Sequence, residues 1–171
     1  MQTVLPSFLL LTTLLATSSS GQNAAHHDTG VTTRGDQTMG FAHDKTTHHF
    51  WLYENGGVIQ VEANDPRDTE SRDQIRMHLH HISEAFAAGN FKIPMFIHAT
   101  NPPGAAAMGE LRDQIRYQYV ETNSGAQVRI RSENPRALKA VHKFLRFQIT
   151  DHETGDPLTV AADPTHPADS K

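Results

Sequence analysis

MGFAHDKTTHHFWLYENGGVIQVEA (residues 39–63) decides the fold. The first half is a loop rich in possible ligands, and the second reads as a β-hairpin. Asn55-Gly56 supply the two central turn residues, because Asn-Gly is the pair that best tolerates φ > 0 at both positions of a type I′ turn. A turn there sets Tyr53 against Val58, Leu52 against Ile59, Phe50 against Val61, His49 against Glu62 and His48 against Ala63. Alternation along the strands then gathers Phe50, Leu52, Ile59 and Val61 on one face, the expected core face. His48 shares that face where the loop enters the strand, and His49 points the other way. Trp51 and Tyr53 join His49 on the outer face, a candidate surface for a protein partner because such aromatics are favoured at interfaces.

Working outward, Asn64-Asp65-Pro66 breaks the strand, and Asp68 or Thr69 is placed to cap a helix. Ile75, Leu79, Ile82 and Phe86 recur at i, i+4, i+7 and i+11, which predicts an amphipathic helix stopping at Gly89-Asn90. FKIPMFIHA (91–99) reads as a strand beginning after Pro94. A short helix is expected over about 105–115. A second hairpin spans 117–132 and turns at Asn123-Ser124-Gly125, with Val128 and Ile130 alternating with Arg129 and Arg131. Asn134-Pro135 opens the last helix, whose inner face is Leu138, Val141, Leu145 and Ile149. Ile59, Val61 and Pro66 match Val128, Ile130 and Pro135 at a constant offset, a weak internal repeat. The expected class is α+β: an antiparallel sheet of about five strands, built from two hairpin-helix units, with helices packed on one face.

The ends differ in composition. Val4 to Ala16 is an apolar run of signal-peptide length, too short for a membrane span, with small residues after it for cleavage. Residues 1–20 are therefore expected to be a signal peptide, which makes the mature protein secreted or periplasmic. Residues 21–38 read as a flexible leader, 39–154 as a single domain and 155–171 as a disordered tail. The net charge of −4 gives no basic footprint for nucleic acid. The absence of cysteine removes disulfides, thiolate metal sites and cysteine nucleophiles.

Twelve histidines are the one unusual feature of the composition. His43 and His48 lie in the loop and first strand, His78 and His81 on the first helix, His98 ends the middle strand, and Gln148 and His152 sit four apart at the end of the last helix. Helical spacing places His78 at the edge of the core face and His81 further out, close enough to share a ligand. The expected ligand site comprises His48, His78, His81, His98, Gln148 and His152. A transition metal (Cu, Zn or Ni) on His43, His48, His78 and His81 is one candidate occupant, since imidazole suits those ions and the nearby Met77 thioether favours Cu(I). Asp151, beside His152, is placed to orient another imidazole. So many histidines also suggest a pH-sensitive surface. No G-x-S-x-G, P-loop or G-x-G-x-x-G occurs, so an enzyme here would rest on a histidine general base.

Three stretches, RGDQTMGFAHDKTTHHF (34–50), FKIPMFIHATNPPG (91–104) and AVHKFLRFQITDH (140–152), resemble a group of bacterial secreted proteins without established activity. Some similar sequences carry the label aspartate carbamoyltransferase. That enzyme implies a Ser-Thr-Arg-Thr phosphate loop opening a helix. Here only Thr32-Thr33-Arg34-Gly35 comes near it, in the leader, and no site residue carries over. The sequence thus leads to an exported binding protein with a histidine-rich site for a small ligand or metal ion. A periplasmic enzyme and an envelope interaction domain are the alternatives.

Overall fold

The computed structural model describes residues 39–165 together with Gly35. The expected signal peptide (1–20), the rest of the expected leader and residues 166–171 lie outside the described residues. Four strands, β1 (Thr46–Tyr53), β2 (Gly56–Ala63), β3 (Arg116–Glu121) and β4 (Gly125–Arg131), form one antiparallel sheet in the order β1-β2-β4-β3. Four helices accompany them: α1 (Thr69–Ala87), α2 (Lys92–His98), α3 (Ala105–Glu110) and α4 (Pro135–Asp151). The chain is α+β.

The first hairpin departs from the expected register. Tyr53 pairs with Gly56, Phe50 with Ile59, His49 with Gln60 and His48 with Val61, so the turn is Glu54-Asn55. Neither turn residue has positive φ, so this is not the Asn-Gly type I′ turn. The glycines serve close approach instead. A Cβ on Gly56 would strike the Ile130 carbonyl, and one on Gly57 would strike the Trp51 carbonyl and Leu145 Cδ1. The partners slip by two residues, and a slip of two leaves each side chain on its own face. Phe50, Leu52, Ile59 and Val61 are accordingly all buried.

The second correction is residues 91–99, expected as a strand and found as α2. The buried residues Phe91, Pro94, Ile97 and His98 follow a helical period, while Met95 and Phe96 are exposed. A short apolar run cannot by its pattern alone separate strand from helix. Pro94 is tolerated because it sits in the first turn, where the N–H has no intrahelical partner in any case. The sheet therefore has four strands among the described residues rather than about five.

The long helices start where their capping residues predict. Asp68 accepts from Ser71 N at 3.0 Å, and Asn134 accepts from Arg136 N at 2.9 Å and Ala137 N at 3.2 Å. Helix α1 ends as Gly89 turns to φ 75°. Each long helix then lies mainly over the other hairpin. Helix α1 packs on β4 and β3, whereas α4 packs on β1 and β2. His142 of α4 reaches the turn of the first hairpin, with Nε2 2.9 Å from the Tyr53 carbonyl and 3.1 Å from that of Gly56. Ten residues further on, His152 lies over His48 and Phe50. Ten helical residues and five strand residues each cover roughly 15–17 Å, so α4 runs back along β1.

Composition predicts a disordered tail, yet residues 155–165 are laid along the free edge of β1. Asp156 accepts from the Phe50 N–H at 2.9 Å and from His49 Nδ1 at 2.9 Å. Ala161 N donates to the Leu52 carbonyl at 2.9 Å, and Glu54 N to the Ala161 carbonyl at 3.0 Å. Asp163 binds Asn55 and Arg131, both at 3.0 Å. Burial opposes ionisation of Asp163, but bonds from Asn55 and Thr165 and the Arg131 charge outweigh it and lower its pKa. These contacts satisfy backbone groups that an edge strand otherwise leaves open.

Candidate functional site

The return of α4 along β1 brings five histidines from separate segments to one end of the core. His43 belongs to a 3-10 turn (His43–Lys45) that is pinned by the Thr46 hydroxyl on the Ala42 carbonyl at 3.2 Å. His48 is the third residue of β1 and shares the core face with Phe50 and Leu52. His78 stands on α1 beside Phe41, with ring centroids 5.6 Å apart and nearly perpendicular. His98 ends α2 and is buried. His152 caps the C-terminus of α4.

His48 lies 5.2 Å from the His43 ring and 5.5 Å from that of His152, with interplanar angles of 14° and 10°. His98 meets His152 edge-on at 5.0 Å. Its Nδ1 is hydrogen-bonded to the Asp151 carboxylate, and its Nε2 is 3.0 Å from Gln148 Oε1. Asp151 thus orients an imidazole on another element.

Burial, followed by the nearby imidazoles of His152, His43, His78 and His49, pushes His48 well below its ordinary pKa. Burial and then His81 bring His78 to about 4. Burial, His98 and His43 bring His152 to about 3, with Asp151 acting in the other direction. Desolvation penalises the charged form, so these three rings are neutral at neutral pH.

The histidines border a cavity of about 60 Å³, roughly the space of a few waters. His48, His78, His98, His152 and Gln148 supply its polar wall, and the rest is apolar, with Met39, Phe50 and Phe144 among the lining residues. Gln148 is 4 % exposed. Its Nε2 and the Nε2 of His48 are buried without a hydrogen-bond partner among the described residues. Leaving such a group unpaired costs about 1–3 kcal/mol, so the two atoms mark a place where a partner belongs.

No protein-family model, no curated protein and no solved structure matches this chain. The site must therefore be read from its own geometry.

Of the expected site residues, His48, His78, His98, Gln148 and His152 come together, with His43 stacked against them. His81 does not; it is exposed on the outer side of α1. The expected metal set of His43, His48, His78 and His81 is thus not assembled, and no group of three or more metal-binding side chains occurs among the described residues. The reason is geometric. An imidazole binds a metal through a lone pair in its ring plane, whereas near-parallel stacked rings turn their faces to one another. Met77 is 70 % exposed, away from the site. His142 is structural, tied to the hairpin carbonyls. On the outer face, His49 stacks on Trp51 at 5.1 Å and binds the tail, and Trp51 and Tyr53 are half-buried.

The sequence reading missed Met39, Phe41 and Phe147. Phe147 packs edge-on against His98 at 5.0 Å. A signal for Met39 and Phe41 was present: two large apolar residues flank Gly40 immediately before the ligand-rich loop, and both are buried.

Proposed function

We propose that this chain is an exported small binding protein whose ligand occupies the histidine-walled cavity. Export rests on the apolar run at residues 4–16 followed by small residues. No helix among the described residues is long and apolar enough to cross a membrane. The binding reading rests on one observation: Gln148 and His48, which both line one small cavity, each carry a buried, unpartnered nitrogen. A core selected for stability alone would place apolar groups there, and a molecule bonding both nitrogens recovers the cost of leaving them unpaired.

The replacement His48→Phe tests this. It removes an unpaired buried nitrogen, and the cavity gives the larger ring room. A binding residue kept at the expense of stability predicts a higher melting temperature for the variant at pH 7. A variant less stable than the parent would show that His48 serves the fold and would overturn the reading.

One observation favours a second reading, a periplasmic enzyme. Asp151 and His98 form a carboxylate–imidazole pair of the kind a general base uses, and His98 lines the cavity, but its Nε2 is engaged by Gln148 Oε1 and can take a proton only when that contact opens. Against it, no hydroxyl, carboxylate or thiol side chain lines that cavity among the described residues. A catalyst here would act by moving a proton on a bound molecule rather than by forming a covalent intermediate.

A further inference from the structure

The cavity constrains the chemistry of its occupant, and this inference rests on the binding reading above. No Asp, Glu, Lys or Arg lines the cavity among the described residues. The nearest carboxylate, Asp151, is engaged with His98. A charged ligand of either sign would thus lose its hydration with no fixed counter-charge to replace it, and unpaired charges are the costliest groups to bury. Size sets a second limit, because about 60 Å³ holds only a few heavy atoms. Hydrogen bonding sets a third. Gln148 Oε1 already faces His98, so its free Nε2 can only donate. The ligand must therefore offer an acceptor to Gln148. His48 Nε2, on a neutral ring, is complemented by an N–H when it carries the lone pair. The walls contribute the flat rings of Phe50, Phe86 and Phe144, which favour a flat molecule.

We infer that the cavity binds a small, uncharged, planar molecule carrying one hydrogen-bond acceptor and one N–H, an azole or a simple amide. Its acceptor takes the Gln148 Nε2–H, and its N–H donates to His48 Nε2. Four probes at pH 7.5 separate the possibilities. Pyrazole and acetamide have the required chemistry; acetate matches acetamide in shape but carries a charge; Zn²⁺ tests the metal alternative. The readout is the NMR signals of the His48 and His152 imidazoles and of the Gln148 side-chain amide.

Pyrazole and acetamide should move all three saturably, with dissociation constants on the order of millimolar for so few atoms. Acetate should bind roughly tenfold more weakly or worse. Gln148→Met, which keeps the shape and loses the donor, should weaken pyrazole by about tenfold. Binding of acetate or Zn²⁺ without pyrazole or acetamide would overturn the ligand class and leave the cavity reading standing. Pyrazole binding that Gln148→Met does not weaken would overturn the class as well. Four silent titrations would overturn both.

Discussion

His48 shows at the residue scale how burial converts a common side chain into a special one. On an exposed strand it would be a partly charged surface group near neutral pH; here burial first, and the neighbouring imidazoles after it, keep it neutral. The same physics makes the protein sensitive to acid. His78 at about 4 and His152 at about 3 lie below the ordinary histidine value of 6.5. The unfolded chain therefore binds more protons than the folded one below pH 6.5. Stability is complete above that pH and is lost as pH falls towards 4 and 3. Between pH 7 and pH 5 each ring should cost about 2 kcal/mol, about 4 kcal/mol for the pair. Urea denaturation at the two pH values measures this, and equal midpoints would contradict it. Asp151→Asn should cost about 1–3 kcal/mol, because His98 stays buried after losing its charged partner. Chemical denaturation near neutral pH checks that value.

For single elements, helix caps, helix stripes and strand alternation were legible because each depends on neighbours in the chain. Asp68, Asn134 and the Ile75–Phe86 stripe are cases of this kind. What misled was local chemistry with two solutions. Gly56 and Gly57 resemble turn residues, but the space they leave is taken by the Ile130 and Trp51 carbonyls from other strands. Residues 91–99 resemble a strand until Pro94, Ile97 and His98 have a core to face. Gly57→Ala should accordingly destabilise by about 1–3 kcal/mol through overpacking, although glycine-to-alanine changes elsewhere in strands often stabilise. Thermal melting of the variant checks the sign. Asp156→Ala should release the Phe50 amide, which hydrogen exchange would report as faster exchange at that position.

Across the whole molecule, the site exists because α4 lies over β1 and β2 rather than over the hairpin that precedes it. Nothing local in the sequence announces that exchange. The individual histidines could be picked out, but the stacking of His43, His48 and His152 could not, nor could the exclusion of His81. The same limit applies to the tail. Its Pro/Asp/Thr composition reads as disorder, yet Asp156, Ala161 and Asp163 find partners along β1. A chain ending at residue 154 should expose that edge and associate through it, a change that light scattering coupled to size exclusion would detect. The most direct measurement is an NMR titration of the imidazole signals of the intact protein. With His48, His78 and His152 half-buried around one cavity, His78 and His152 should still be neutral at pH 5 and His48 should titrate well below the ordinary histidine value. Ordinary titration of the three near pH 6.5 would mean that they face water, and the proposed binding site would not exist.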